Sequence, residues 1–296
     1  MQSPTELLQH AAAATRRGEL ETGAAGAMTA LALFRSRGDR DGRARAVNLL
    51  GAIAFERGQL AQAESNFSEA LSLALRLEEP TLAARASNNL ASVVHLRGEA
   101  EVALGLYRTA LLSYQRLGDR RGMAETLHNL AITFRDLDRP DAIDDVSTEA
   151  VRHAEITGDA GLLALVTTGR AEAALRRGEL DVADRSIERA ITLAAEAGDV
   201  LGGVEARHLR ARVLLQRGEA AAALREALDA RATAREHASA LLDAECSGVA
   251  ALAARRLGRI RDAEGYRAEA LERFHSLSAL NYIRRLEAAW DRITAE

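Results

Sequence analysis

The chain has 296 residues, 48% of them apolar but only 3% aromatic, so alanine and leucine must fill whatever core it buries. All 39 basic residues are arginine; with 43 acidic residues the net charge is −4, which leaves no basic footprint for nucleic acid. The lone Cys246 excludes an intramolecular disulfide and fits a reducing, cytoplasmic setting, the N-terminus lacks signal-peptide order, and no apolar run is long enough to span a membrane.

Glycine recurs on a twenty-residue ruler. Gly18, Gly38, Gly58, Gly98, Gly118, Gly158, Gly178, Gly198, Gly218 and Gly258 fill ten of the fourteen marks between 18 and 278, where chance would fill roughly one. Glu78, Asp138, Ala238 and Ser278 hold the remaining marks. Such a fixed period is the signature of a stacked-repeat architecture.

Between marks the apolar residues follow the helical period. Val47, Leu50, Ala54 and Phe55 share one face, as do Leu60, Ala63, Phe67, Ala70, Leu71 and Ala74. Each segment stops at the mark, where glycine takes the left-handed conformation that ends a helix. An acidic residue often follows (Glu19, Asp39, Glu99, Asp119, Asp159, Glu179, Asp199, Glu219) and is expected to cap the next helix. Pro4, Pro80 and Pro140 sit at segment starts, where proline is tolerated. Odd marks read Arg-Gly-Glu-Leu or a close variant, whereas Gly38, Gly118, Gly158 and Gly198 are each followed by aspartate, so the unit is a two-helix hairpin of forty residues. In chain order the predicted hairpins are 4–38, 42–78, 80–118, 120–158, 160–198, 200–238 and 240–276. A capping helix follows at 279–294, with Leu280, Ile283, Leu286, Trp290 and Ile293 on one stripe.

The second hairpin carries Leu50-Gly51, Gly58, Ala63, Phe67 and Ala70-Leu71, and the third repeats this as Leu90-Ala91, Gly98, Ala103, Tyr107 and Ala110-Leu111. This pattern resembles the tetratricopeptide repeat (TPR) family. The period exceeds the standard 34 residues and is similar to that of kinesin light chains and several bacterial regulators, as are the Asn-Leu-Ala strings at 89–91 and 129–131. The resemblance implies an all-α, right-handed α-solenoid of about seven hairpins plus the capping helix. Small residues would let helices approach, and one aromatic per hairpin would fill the remaining gap. Asp138, Ser147, Arg170, Arg210 and Arg231 depart from the pattern, which predicts altered curvature or a less rigid stretch near 138–160.

In the family the first helix of each hairpin lines a concave groove. The resemblance therefore implies a peptide-binding set of Asn48, Arg85, Asn88, Asn89, His95, His128, Asn129 and Arg135. Stacked asparagines can hold an extended backbone, and arginines can take a carboxylate. Alternatively, the asparagines bond neighbouring turns and the arginines pair with Glu125 or Asp136. A second arginine set (Arg170, Arg176, Arg207, Arg210, Arg212, Arg255, Arg256) has Glu172, Glu205 and Asp243 nearby as neutralising partners. Asp141, Asp144, Asp145 and Glu149 suit the start of a helix better than a metal site. The histidines show no ligand spacing, Cys246 sits in an alanine-rich segment expected to bury it, and Gly202-Gly203 opens no phosphate loop. The expected function is a non-enzymatic scaffold that binds a protein or peptide partner without cofactor or metal, and without nucleic acid or membrane. The alternative is a regulatory sensor acting on a separate output protein. Self-association through the terminal faces is a further expectation.

Overall fold

The computed structural model describes residues 3–295, except for the side chains of Pro140, Asp141 and Ala295; the Asp141 carboxylate of the predicted acidic face thus lies outside the described residues. All fourteen ruler marks are left-handed. The ten glycines have φ between 64° and 89°, and Glu78, Asp138, Ala238 and Ser278 adopt φ of 53° to 55° without being glycine. The packing of the hairpins therefore imposes the turn, and glycine only makes it easier.

Among the described residues the marks separate fifteen helices. These are α1 (Pro4–Arg16), α2 (Leu20–Ser36), α3 (Arg40–Glu56), α4 (Leu60–Arg76), α5 (Pro80–Leu96), α6 (Ala100–Leu117), α7 (Arg120–Asp136), α8 (Pro140–Thr157), α9 (Ala160–Arg176), α10 (Leu180–Ala197), α11 (Val200–Gln216), α12 (Ala220–Glu236), α13 (Ala240–Arg256), α14 (Ile260–Ser276) and α15 (Leu280–Ala295). None is long and apolar enough to cross a membrane.

The acidic residues after the marks divide by length. Asp39, Asp119, Asp159 and Asp199 each accept a hydrogen bond from the backbone N–H three residues on, at 2.8 to 3.0 Å. Glu19, Glu99, Glu179 and Glu219 make no such cap, contrary to expectation. The extra methylene carries the carboxylate past the N–H, and Glu19 and Glu179 instead bind Arg17 and Arg177 two residues earlier.

Odd and even helices pair into seven hairpins that stack as a right-handed α-solenoid. Gly42 lies beneath the Phe34 ring and Gly122 beneath Tyr114; a Cβ at either would come within 2.2 and 2.3 Å of the ring. Within the second hairpin Gly51 leaves the same room for Phe67. Ser147 stands where Phe67 and Tyr107 stand earlier, and it is buried with its hydroxyl unpartnered. The core nonetheless runs unbroken past Asp138: Tyr107, Leu127, Ile143, Val151 and Val166 belong to one cluster.

The superhelix turns far enough to meet itself. Phe274, Leu277, Ile283 and Leu286 share a core with Leu60, Phe67, Val93 and Leu96. Leu201, Val204, Leu242 and Cys246 pack with Leu20 and Ile53. The His237 ring stands 3.1 Å from the Gly18 carbonyl, and Leu277 fills the space in front of Gly58. Helix α15 packs on α13 and α14, and it also reaches across this seam to α5. Its predicted apolar stripe is interrupted at the start, where Leu280 is 51% exposed.

A closed chamber as candidate functional site

Closure turns the concave surface into an interior. Its walls are the odd helices, and residues forty apart occupy equivalent places on successive walls. Asn88 and Asn89 on α5 stand beside Asn48 on α3 and Asn129 on α7. Asn89 donates to the Asn48 side-chain oxygen at 3.3 Å, and Asn129 donates to that of Asn88 at 3.4 Å. The amides thus bond to the neighbouring hairpin, one N–H each, and keep further donors and acceptors.

Asn88, Asn89, His95, His128 and Asn129 line a cavity of about 470 Å³. Asn48 lies behind them in the ladder and does not line it. Arg85 is exposed and also lies outside the lining. Arg135 is buried in an ion network beyond the wall, where it bonds Asp136 at 2.7 Å and Glu172 at 2.8 Å. His95 shares that network, 3.1 Å from Asp136 and 3.3 Å from Asn281 of α15. Asn281 also donates to Asp136 at 2.8 Å. Burial opposes ionisation of Asp136, but the His95 hydrogen bond and the Arg135 charge outweigh it and hold the carboxyl well below its usual range. Glu172 is partly buried and is kept ionised by Arg135, Arg212 and Arg285.

Five carboxylates that the sequence did not assign to a binding surface also line the cavity: Glu56, Glu125, Asp199, Glu205 and Glu245, with Arg16 as the one arginine among its lining residues. Burial pushes Glu56 up to about 7, with Asp199 adding to it. Burial and the neighbouring Glu245 push Glu205 to about 8. Glu245 rises to about 7 by burial, against the pull of Arg285 and Arg135. Burial drives His128 down to about 4, so its ring is neutral at physiological pH. Phe55, Leu96, Ile132, Leu165 and Leu242 complete the wall, and the Tyr107 hydroxyl is tied to Ser92 at 2.9 Å.

A second cavity, about 640 Å³, adjoins the first and shares Glu245 and Tyr282 with it. Arg176, Arg212, Arg256, Arg285 and Arg292 line it together with His208, over an apolar floor that includes Leu215, Leu252 and Ile293. The predicted neutralisation of the later arginines holds in part. Arg212 meets Glu172, whereas Arg207 and Arg210 use Glu226 and Glu188, and Asp243 serves Arg231, Arg235 and Arg273. Glu205 does not act as the expected neutraliser, because it faces the acidic cavity. On α8, Asp144 pairs with Arg177 and Glu149 with Arg152. Among the described residues no group of three or more His, Cys, Asp or Glu side chains could hold a metal ion. Cys246 is fully buried, and burial pushes its thiol up, away from reactivity.

A sequence profile of the tetratricopeptide repeat family matches residues 82–155. A search of curated proteins found no match. Among solved structures, the chain is similar to a Rap protein complexed with competence and sporulation factor (TM-score 0.68, 14% identity, 92% of this chain and 74% of that one). It is similar to the apo form of RapI (TM-score 0.61, 13% identity, 93% and 98%). It is also similar to aspartyl phosphate phosphatase F from Bacillus subtilis (TM-score 0.53, 11% identity, 91% and 59%). Identities this low speak for the fold alone. The profile covers α5 to α8, about a quarter of the chain, and the same two-helix hairpin is repeated before and after them, so the chain has the fold of a tetratricopeptide repeat array.

Proposed function

We propose that the chain is an interaction protein that holds an extended peptide segment inside its closed concave chamber. The observation that carries this reading is the amide ladder. Asn88, Asn89 and Asn129 line a cavity and retain hydrogen-bonding capacity after bonding one another. An extended backbone offers alternating N–H and C=O groups, the complement of such a row. A space of about 470 Å³ is in the range of small-ligand sites and excludes a folded domain. The Rap protein that shares the fold was solved with a bound factor, and that likeness points the same way. Replacing Asn88→Ala together with Asn129→Ala is expected to weaken peptide binding by about tenfold or more, at about 1 kcal/mol per lost bond. Isothermal titration with a peptide selected on the wild-type chain measures this, and undiminished affinity would remove the ladder from the site.

A second reading, a sensor that acts on a separate output protein, is favoured by Tyr282. This residue of α15 lines the cavity, and its neighbour Asn281 holds the seam. An occupant touching Tyr282 therefore bears on the closure itself.

A further inference from the structure

The two adjoining cavities carry opposite charge. The first presents five carboxylates against Arg16, and the second presents five arginines with Glu245 at its border. The charged residues recur on forty-residue registers that run through both cavities. Glu125, Glu205, Glu245 and Arg285 occupy one register, and Glu172, Arg212, Leu252 and Arg292 another.

Each cavity holds a buried polar atom left without a hydrogen-bond partner, Ser239 Oγ in the first and Arg285 Nη1 in the second. Ser239 lines the acidic cavity, is 1% exposed, stands at the N-cap of α13 without making a cap bond, and leaves its hydroxyl unpartnered. Glu56, Glu205 and Glu245 are partly buried carboxylates whose loss of water opposes their charge, and among the described residues no arginine pairs with them. In the other cavity Arg285 has a buried Nη1 without a hydrogen-bond partner, and the nearest carboxylate oxygen of Asp136 is 3.9 Å away. Among the described residues Glu172 is the one carboxylate that serves Arg135, Arg212 and Arg285 together, bonded to the first two and 3.8 Å from the third.

We infer that the bound segment is a short dipolar peptide lying in one direction across both cavities, its cationic group among Glu56, Glu205 and Glu245 and its carboxylate among Arg212, Arg285 and Arg292. Tyr282 and Glu245 stand at the divide. This inference rests on the peptide-binding reading and adds polarity to it. A cation in the acidic cavity supplies the countercharge that the half-buried carboxylates lack, and a carboxylate in the second cavity can take a guanidinium in bidentate fashion. The reverse orientation would bury like charges together at both ends.

The test uses the full chain and a pool of random hexapeptides with free termini. Affinity selection with mass spectrometry identifies binders, and one selected peptide is then made free, N-acetylated and C-amidated for isothermal titration. With wild-type protein, acetylation and amidation are each expected to weaken binding about tenfold. Glu205→Gln should remove most of the acetylation penalty and leave the amidation penalty intact. Arg292→Gln, at an exposed lining position, should do the opposite. If acetylation has no effect while Glu205→Gln weakens only peptides that contain arginine or lysine, the cation is a side chain and the orientation stands. Equal binding of all three forms to wild type and to both variants overturns the polarity but leaves peptide binding in place, as does an exchange of the two variants' effects. A pool that yields no binder overturns the peptide reading and this inference with it.

Discussion

At the scale of single residues, the four marks without glycine are the most informative positions. Glu78, Asp138, Ala238 and Ser278 hold φ near 54°, a region that costs a residue with a Cβ about 1–2 kcal/mol relative to its right-handed form. Ala238→Gly should therefore stabilise the chain by about 0.5–1 kcal/mol, after allowing for glycine's greater freedom when unfolded. Urea denaturation followed by circular dichroism measures it, and an unchanged or lowered midpoint would mean that the turn is not strained. The same positions show what was readable beforehand. The ruler gives every helix end, exceptions included, because the turn is local and recurs. The charged lining of the interior stood on the same ruler, with Glu125, Glu205, Glu245 and Arg285 each a multiple of forty apart. The repeat consensus is silent about it, because the destination of a non-consensus residue depends on walls far away in sequence. Arg85 shares that register and is exposed, so register alone does not decide which walls enclose space.

At the scale of elements, α15 does more than its sequence implied. Ile283 and Leu286 cover the last hairpin as an end cap should, and both are buried. The polar residues between and beside them do the unexpected part. Asn281 reaches His95 and Asp136, and Arg285 faces Glu172 at 3.8 Å. Amphipathic periodicity registers the apolar face of a helix and says nothing about a partner 145 residues away. Asp136→Asn removes a charge that three neighbours share, and it is expected to destabilise the fold by about 3 kcal/mol. Asn281→Ala, which removes one neutral partner, should cost about 1–2 kcal/mol. Hydrogen exchange locates the loss. Amides of α15 and of the end of α5 should lose protection first in both variants, and a loss spread evenly over all hairpins would contradict the seam.

At the scale of the whole molecule, closure gathers partly buried acidic groups around one cavity, and this gives the stability a pH dependence of definite sign. Glu56, Glu205 and Glu245 have values of about 7 to 8 in the fold against 4.5 for an ordinary glutamate. The fold therefore binds more protons than the unfolded chain over this window. Their contribution is complete below 4.5 and is lost as pH rises through about 7 to 8. His128 and His208, lowered by burial to about 4 and about 3, act oppositely, but only below their ordinary 6.5. The melting temperature should thus fall between pH 6.5 and about 9. Glu205→Gln should flatten that fall, and a melting temperature that holds constant across the window would show that these carboxylates are hydrated in the fold.

The seam at Gly58 and Leu277 has one more consequence. An open stack of hairpins is extensible: a unit added or removed lengthens or shortens it and leaves the other units as they were. Here the end must land on the beginning. One extra forty-residue unit would carry Leu277 past Gly58 and Asn281 past Asp136, and one fewer would leave both short. The repeat number is therefore a quantised property of this chain. Variation can act on the side chains inside the ring, while the circumference stays fixed.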